Sequence, residues 1–418
     1  MKRFNLKFIT TAALLLAAVV VCGQNNSLGI NMSLWPNLGT QSINKQRITY
    51  FNLGIASKQY KLYGLGINLL GTTTEVVRGI QLGGLYNTTD ELNGISLAGI
   101  AQVINQDSRG VTLSGLVNVI GETHAGLIAS GFLNIVGNDI KGAAIAPLNI
   151  NGDDLYGLAV APIGNIIGEE THGLAIAGLF NVIGDNSYGI NIASVANIQG
   201  QRMGGISIAG LTNITNKTYG LAIAGGANVA EELKGIQIAP LNITNTFKGV
   251  QIGLVNIAQE NQRGFQIGII NVNPHTKYQV IFYGGNQTKL NLGMRFKNKH
   301  FYNIISVGSP SYLKFSDKFS GAIGYRTGAY LSLGKYIDLG ADIGFQHINS
   351  FNNKNKVNNI AKRMYALEGR ANLEFNINSK FGLIGSVGYG TTKWYSKNIT
   401  FKKGLLTELG IVYTLRSK

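Results

Sequence analysis

Gly173-Leu-Ala-Ile-Ala-Gly-Leu-Phe-Asn181-Val182 is the clearest copy of a phrase that occurs thirteen times between residues 79 and 271. Each copy opens with a glycine, and successive copies begin 14 to 16 residues apart. The opening glycines are Gly79, Gly94, Gly110, Gly126, Gly142, Gly157, Gly173, Gly189, Gly205, Gly220, Gly235, Gly249 and Gly264. An asparagine follows seven or eight residues later, at Asn87, Asn118, Asn134, Asn149, Asn165, Asn181, Asn197, Asn213, Asn228, Asn242, Asn256 and Asn271, and the second copy has Gln102 there. A fixed short period indicates stacked units that share one core.

The alternation inside each copy predicts short strands. The second and fourth positions are usually aliphatic, as in Leu174 and Ile176, with small residues such as Ala175 and Ala177 between and after them. Period-two alternation is typical of a strand, here of about five residues. Another aliphatic residue often follows the asparagine, and four or five mostly polar residues then complete the copy as a turn.

Two architectures fit this pattern: each copy is one coil of a β-solenoid, or one long strand of a wide membrane barrel. The interval from glycine to asparagine is eight in most copies, but it is seven in the copies that open with Gly142, Gly235, Gly249 and Gly264. A one-residue slip in a continuous strand turns every later side chain to the opposite face. In a barrel, the asparagine would then face lipid in some copies, which is costly. A solenoid absorbs the slip at a corner between two strands, and we therefore favour the solenoid.

Stacking gives the asparagines a structural task. Coils about 4.8 Å apart would align the amides in a hydrogen-bonded ladder, which Gln102 can continue because it has the same donor and acceptor groups. Asparagines that contact a ligand are the alternative. Buried aliphatic residues of the strands would each contribute about 1.5–3 kcal/mol. Residues 24–78 are expected to cap the array, and the phrase from Gly66 resembles a degraded copy with Thr74 near the asparagine position.

Residues 275–418 have longer alternating strands. Ile337, Leu339, Ala341, Ile343 and Phe345 share one face of a strand, and Asp338, Gly340, Asp342, Gly344 and Gln346 share the other. Eight strands are predicted, at 278–285, 288–297, 299–308, 319–333, 335–347, 362–378, 381–395 and 404–415. Apolar outward and polar inward faces are typical of an outer-membrane barrel. A soluble antiparallel barrel is the alternative, although it would expose many aromatic residues to water.

Side chains fill the interior of an eight-stranded barrel. A buried charge network is therefore expected there, formed by Arg295, Asp338, Asp342, Glu368, Arg370 and Glu374. An even number of strands puts both ends of the barrel on one side of the membrane, and short periplasmic turns would make that side the periplasm, where the array is then expected. The predicted architecture is thus all-β, with a solenoid at 79–274 followed by an outer-membrane-type barrel at 275–418.

The first 23 residues have the layout of a secretory signal. Lys2, Arg3 and Lys7 precede an apolar run from Thr10 to Val21. Cleavage after Gly23 is expected, with lipid modification of Cys22 as the alternative. The net charge of +16 is concentrated after residue 275. An exported chain without a basic helical motif is not expected to bind nucleic acid.

The sequence has no set of residues that predicts a catalytic, cofactor-binding or metal site. His124 and His172 occupy similar turns, and both are expected in solvated positions. Acid pairs such as Asp153-Asp154 and Glu169-Glu170 do not recur at one position of the repeat, and the strand faces are expected to carry Ala, Ser, Gln and Thr. Exposed aromatic residues on the array are too sparse for a binding row. Without a clustered reactive set, we expect no enzymatic activity.

Four phrases carry a resemblance to a known group. They are Gly-Val-Gln-Ile-Gly-Leu-Val-Asn (249–256), Phe282-Tyr-Gly-Gly-Asn286, Phe301-Tyr-Asn-Ile304 and Asp317-Lys-Phe-Ser-Gly321. The chain resembles the uncharacterised surface-repeat proteins of Bacteroidetes and spirochaetes over most of its length. The resemblance implies an outer-membrane or surface location and no known activity. The surface location that the resemblance implies conflicts with the periplasmic location predicted for the array from the barrel topology. The side of the membrane that carries the repeats therefore stays open.

Together these features predict a non-catalytic cell-envelope protein, a repeat scaffold or adhesion module anchored in the outer membrane by a small barrel. Its expected partners are outer-membrane lipid and, further, glycan or envelope proteins. A binding or transport component for glycan or lipid is the second hypothesis.

Overall fold

The computed structural model describes residues 29–41, 47–261, 264–286, 289–309, 320–350, 363–396 and 399–416. These residues form an all-β protein, as predicted. Among them, no helix has the length and apolarity needed to cross a bilayer. The chain divides into two compact units, residues 1–230 and 231–418. The predicted signal segment and Cys22 lie outside the described residues.

Short strands form the repeat region. In chain order they are β1 (Ile30–Trp35), β2 (Leu38–Gly39), β3 (Ile48–Gly83), β4 (Tyr86–Ala98), β5 (Ala101–Ile104), β6 (Ser108–Ser114), β7 (Val117–Ile120), β8 (His124–Ser130), β9 (Leu133–Val136), β10 (Ile140–Ile145), β11 (Leu148–Asn151), β12 (Leu155–Ala161), β13 (Gly164–Ile167), β14 (Leu174–Ala177), β15 (Phe180–Ile183), β16 (Ile190–Ala193), β17 (Ala196–Met203), β18 (Ile206–Ala209), β19 (Thr212–Thr218), β20 (Leu221–Ala224), β21 (Ala227–Leu233), β22 (Ile236–Ile238), β23 (Leu241–Phe247), β24 (Val250–Ile252), β25 (Val255–Asn261), β26 (Phe265–Ile267) and β27 (Ile270–Val272).

Each repeat is one coil of a parallel β-solenoid. The strand after the opening glycine, called the first strand, pairs in parallel with the first strand of the next coil, as Ala159 does with Ala175. The strand that carries the asparagine, called the second strand, does the same, as Asn165 does with Asn181. In the second unit, β22, β24 and β26 stack in this way, and so do β23, β25 and β27. The solenoid prediction is confirmed, and a wide antiparallel barrel is excluded.

The shorter coils keep their register at the corner between the two strands. Ala129 pairs with Ile145 in the first strands, and Asn134 pairs with Asn149 in the second strands. Between these pairs, one coil has Gly131-Phe132 where the next has only Pro147. The corner therefore absorbs the one-residue slip, as the spacing predicted.

The aliphatic residues of the strands face outward, which corrects the sequence-based expectation. In β14, Ala175 and Ala177 are buried, whereas Leu174 and Ile176 are partly exposed. The predicted Ala, Ser, Gln and Thr faces are thus the interior. Successive coils touch through glycine backbone, and small and amide side chains fill the narrow space between the two strands. The aliphatic core lies elsewhere, in residues before the glycine and after the asparagine such as Leu155 and Ile183.

The capping segment contains strands of the same stack. β1 pairs in parallel with β3, matching Ile30 to Phe51. Further along β3, Thr72 pairs with Asn87 and therefore occupies the asparagine position. A Cβ on Gly79 would lie 2.2 Å from the carbonyl oxygen of Gly64, which makes Gly64 the opening glycine of that coil. The predicted assignment from Gly66, with Thr74 near the asparagine position, was two residues late.

Gly126 is a position where only glycine fits. Its φ is +135°, and a Cβ there would lie 2.0 Å from the carbonyl oxygen of Gly110. Strain at such a φ alone costs about 1–3 kcal/mol. We expect Gly126→Ala to lower the free energy of unfolding by at least that amount, measured by hydrogen exchange of the array. Gly404→Ala, at φ +152° in a barrel strand with open space around it, is the control without a backbone clash, and its loss is measured by hydrogen exchange of the barrel. Equal losses in the two variants would show that the coils do not approach this closely.

Eight antiparallel strands form the closed barrel. They are β28 (Lys277–Gly285), β29 (Leu290–Lys297), β30 (Phe301–Ser309), β31 (Ser320–Ser332), β32 (Ile337–Ser350), β33 (Arg363–Asn376), β34 (Phe381–Trp394) and β35 (Thr400–Arg416). β28 pairs with β35, for example at Phe282 and Ile411, and this pairing closes the barrel. The number of strands and their order are as predicted.

Candidate functional surfaces

The asparagines form the predicted amide ladder. In the first unit, each side-chain amide from Asn118 to Asn213 donates to the next asparagine at 2.9–3.1 Å, which gives seven successive bonds. In the second unit, Asn242 donates to Asn256 at 2.9 Å, and Asn256 donates to Asn271 at 2.7 Å. The amides are buried and also donate to backbone carbonyls. They hold coils together and are out of reach of a ligand.

Gln102 does not continue the ladder. Its amide donates to the carbonyl oxygens of Ser96 at 2.6 Å and of Leu113 at 2.5 Å. The side-chain oxygens of Gln102 and Asn118 have no hydrogen-bond partner. Because the Gln102 amide donates only to backbone carbonyls, the ladder of amide bonds runs from Asn118.

The two histidines do not share a position, contrary to the prediction. His124 pairs with Ser108 and Ile140 in a buried column, and its ring is inaccessible to solvent. His172 lies one repeat position later and is solvated, with Glu170 at 2.9 Å. Burial lowers the pKa of His124 from 6.5 to about 4.

His124 is expected to make the array sensitive to acid. Because its pKa in the folded protein lies below 6.5, the unfolded chain binds the proton more readily. The folded state should lose stability as the pH falls from about 6.5 to about 4, by about 3 kcal/mol in all. Hydrogen exchange of the array at pH 7 and at pH 4 measures the loss. The loss of stability between pH 7 and pH 4 should be smaller in the His124→Leu variant. Carboxylates titrate in the variant and in the unmodified protein alike, so they do not account for the difference. The same loss in both proteins would contradict the burial of an uncharged His124 ring.

Acidic residues recur at one position of the turns, which the sequence analysis missed. The amide of Glu169 donates to the carbonyl oxygen of Asp153, and that of Asp185 donates to Glu169. Like charges raise the pKa of Glu169, with Asp153 the main contributor. Among the described residues, no group of three or more His, Cys, Asp or Glu side chains is arranged to hold a metal ion.

An aromatic row also exists on the array, contrary to the expectation of sparse rings. Tyr156, His172 and Tyr188 belong to successive coils, and neighbouring ring centroids lie 5.0 Å apart. The rings stack face to face, with interplanar angles of 7° and 24°. Arg202 covers Tyr219 and approaches Tyr188. Because the ring faces are occupied by neighbours, this row offers edges and no platform on which a sugar ring could stack.

The barrel interior holds the predicted charge network. Arg295 contacts Glu374 at 2.7 Å, and Arg370 contacts Glu368 and Asp342. Three residues were missed: Lys297 bridges Asp338 and Glu374, and Arg326 contacts Glu408 at 2.9 Å. These side chains are almost fully buried. Every charge faces an opposite charge, which is the condition for burying ions.

The outer wall of the barrel is apolar. Leu409, Ile411, Tyr413 and Leu415 of β35 are exposed, as are Leu339, Ile343 and Phe345 of β32. The predicted faces are therefore confirmed. A monomeric soluble protein rarely exposes a continuous apolar surface of this extent.

The corners of the coils are also apolar. In ten of the thirteen coils the corner residue is large and exposed, and these residues form what we call the apolar edge: Leu85, Ile100, Leu116, Phe132, Ile163, Leu179, Val195 and Leu211 in the first unit, and Leu254 and Ile269 in the second. The other three coils have Pro147, Gly226 and Pro240 at this position. The charged turns, including Glu169 and Asp185, lie at the other end of the strands. Each coil is thus amphipathic from corner to turn.

The fold defines a class of protein made of β-solenoid coils and a closed eight-stranded barrel. No protein-family model matches the chain, and no curated protein matches it. Among solved structures, it is similar to Ail, the attachment invasion locus protein of Yersinia pestis, with 20% sequence identity over 34% of this chain and 95% of the Ail chain. The TM-score is 0.17. The barrel assignment rests on the strand pairing of this chain itself.

Proposed function

We propose that the protein is a non-catalytic cell-envelope protein whose barrel anchors a repeat scaffold in the outer membrane. The observation that supports this most is the combination of an apolar outer wall with an interior of buried ion pairs in a closed barrel. In lipid, every backbone group must be bonded within the protein, and a closed barrel meets that requirement. The resemblance to surface-repeat outer-membrane proteins points the same way.

The strand connections give the proposal an orientation. At the end where β28 begins, the connections are residues 298–300, 333–336 and 377–380, and we call this the short-turn end. At the opposite end, two connections span ten and twelve residues, 310–319 and 351–362. Barrels of outer membranes have short periplasmic turns and longer outer loops. We therefore propose that the short-turn end, from which the array leads into the barrel, faces the periplasm.

Expression of the full chain in a Gram-negative host tests the anchor. The protein should fractionate with the outer membrane, resist alkaline carbonate extraction, and migrate differently on detergent gels before and after boiling. A full chain that carbonate releases, and that remains monodisperse without detergent, would refute the anchor.

Protease treatment of intact cells tests the orientation separately. The array is expected to stay intact until the outer membrane is permeabilised. Cleavage within the repeats of intact cells would reverse the orientation and leave the anchor in place.

A further inference from the structure

The last coil of the second unit lies against the outer wall of the barrel. The ring centroids of Phe265 and Phe301 are 4.6 Å apart, in an edge-to-face contact. The hydroxyl of Tyr325 donates to the carbonyl oxygen of Gly268 at 3.0 Å. Phe301 and Tyr325 both point away from the barrel interior, because their neighbours Tyr302 and Arg326 point into it. The contact is therefore with the wall that lipid would cover.

The covered part of the wall is small and lies near the short-turn end. Phe296 and Asn303 are outward-facing but only 8% and 3% exposed. On the same strands, further from the short-turn end, Leu292 and Val307 are 51% and 55% exposed. The coil thus occupies the margin of the apolar wall and leaves the rest free for acyl chains.

The apolar edge begins at this contact. Gly268 is a corner residue, and its neighbour Ile269 is the apolar-edge residue of the same coil. Leu254 is the corresponding residue of the preceding coil, and it is 55% exposed. Within the second unit, the edge is therefore continuous with a wall whose proposed surroundings are lipid.

We propose that the apolar edge is a membrane-binding edge, inserted among the acyl chains of the leaflet at the short-turn end, with the charged turns in water. The proposal rests on the proposed function, because it requires the barrel to lie in a bilayer. Along the first unit the corner residue is Leu, Ile, Val or Phe in eight coils, with Pro147 and Gly226 in the two others. A fluid apolar layer accepts such variation, whereas a protein partner requires shape complementarity and polar contacts.

Two properties of the first unit, taken by itself, suit contact with lipid. Stacking pairs the backbone groups of each strand with the neighbouring coils, so that an outward-facing strand carries few free backbone groups into an apolar layer. The ten coils from Gly79 to Gly220, eight of which carry an apolar-edge residue, form a stack roughly 45 Å long at strand spacing. A groove of about 700 Å³ lies at this edge, lined by Leu53, Leu69, Leu82 and Leu97 with glycine backbone between them. Its lining is suited to an acyl chain.

Site-specific fluorescent labels test the proposal in the full chain. Single cysteines in a Cys22→Ser background carry a polarity-sensitive dye at Leu179, Leu254, Gln201 or Leu409. Leu179 and Leu254 report on the apolar edge, Gln201 on an exposed turn, and Leu409 on the barrel wall. The protein is reconstituted into phosphatidylethanolamine–phosphatidylglycerol vesicles. Heat-modifiable migration first confirms that each variant is folded. Nitroxide groups on the lipid acyl chains and aqueous iodide, supplied on both sides of the bilayer, are the two quenchers.

Labels at Leu179 and Leu254 should show blue-shifted emission and be quenched by the acyl-chain nitroxides as strongly as the label at Leu409, whereas iodide should quench only the label at Gln201. Iodide quenching at Leu179 and Leu254, with lipid quenching at Leu409, would overturn this inference and leave the barrel anchor intact. Iodide quenching at Leu409 as well would overturn both proposals. Shielding of Leu179 and Leu254 from both quenchers would mean that protein covers the edge, which also refutes the inference.

Discussion

Replacing Asn181 with alanine is expected to weaken the array by about 3 kcal/mol, because a buried polar group left without its partner costs about 1–3 kcal/mol. Asn181 accepts a hydrogen bond from Asn165, donates to Asn197 at 2.9 Å, and donates to the carbonyl oxygen of Ile192. The substitution removes these three bonds, together with the bond that the Asn181 amide donates to the carbonyl oxygen of Ala175, and it leaves a cavity. Hydrogen exchange of the full chain in detergent micelles measures the loss, because it reports local opening of the array.

Asn105→Ala is the matched control for the ladder. The Asn105 amide is exposed and donates to Asp90 at 2.6 Å in a turn. A surface substitution of this kind is expected to change the stability by no more than about 0.5 kcal/mol. Equal losses in the two variants would contradict a buried amide ladder.

Replacing Arg370 with leucine is expected to destabilise the barrel by about 3–5 kcal/mol, the usual cost of removing one partner from a buried ion pair. The Arg370 guanidinium contacts Glu368, Asp342 and Glu408, and its side chain is fully buried. Without the guanidinium, these three carboxylates repel one another and have less positive charge nearby to balance them. Urea unfolding in micelles, followed by the fluorescence of Trp394 in β34 in a Trp35→Phe background, measures the change.

Arg363→Leu, at an exposed position of the same strand, is the control for the barrel. Its barrel should unfold at a urea concentration close to that of the unmodified protein. If Arg370→Leu had an equally small effect, the interior would be hydrated enough to solvate unpaired carboxylates, and the filled barrel would be wrong.

The architecture could be predicted because two sequence signals concern the backbone directly. The interval that shortens after Gly142 is incompatible with a continuous two-faced strand, and the structure places the missing residue at the corner held by Pro147. In the barrel, the alternation from Ile337 to Phe345 is long enough to fix both faces. The charge network followed from that alternation, although Lys297, Arg326 and Glu408 were overlooked.

Which face of each short strand points into the solenoid could not be predicted from the period-two alternation. Period-two alternation defines two faces and does not say which one is inside. Size decides it here: Ala175 and Asn181 fit between the closely spaced strands, and Leu174 and Ile176 are left outside. The histidines were misplaced for a related reason, because His124 and His172 differ by one position relative to the following glycine. A shift of one position within the repeat is enough to bury the side chain of His124 and to leave that of His172 solvated.

Paired cysteines in successive coils test the central claim, the parallel stacking of the repeats, most directly. Leu174 pairs with Ile190, and Phe180 pairs with Ala196, with the same offset in both strands. In a Cys22→Ser background, the double variants Leu174→Cys/Ile190→Cys and Phe180→Cys/Ala196→Cys should both form intramolecular disulfides on mild oxidation. In two antiparallel strands, the numbers of paired residues have a constant sum. The two cysteine pairs have different sums, so at most one of them could be in register. Efficient crosslinking of both pairs is the predicted result; failure of either one in the folded protein would contradict the solenoid.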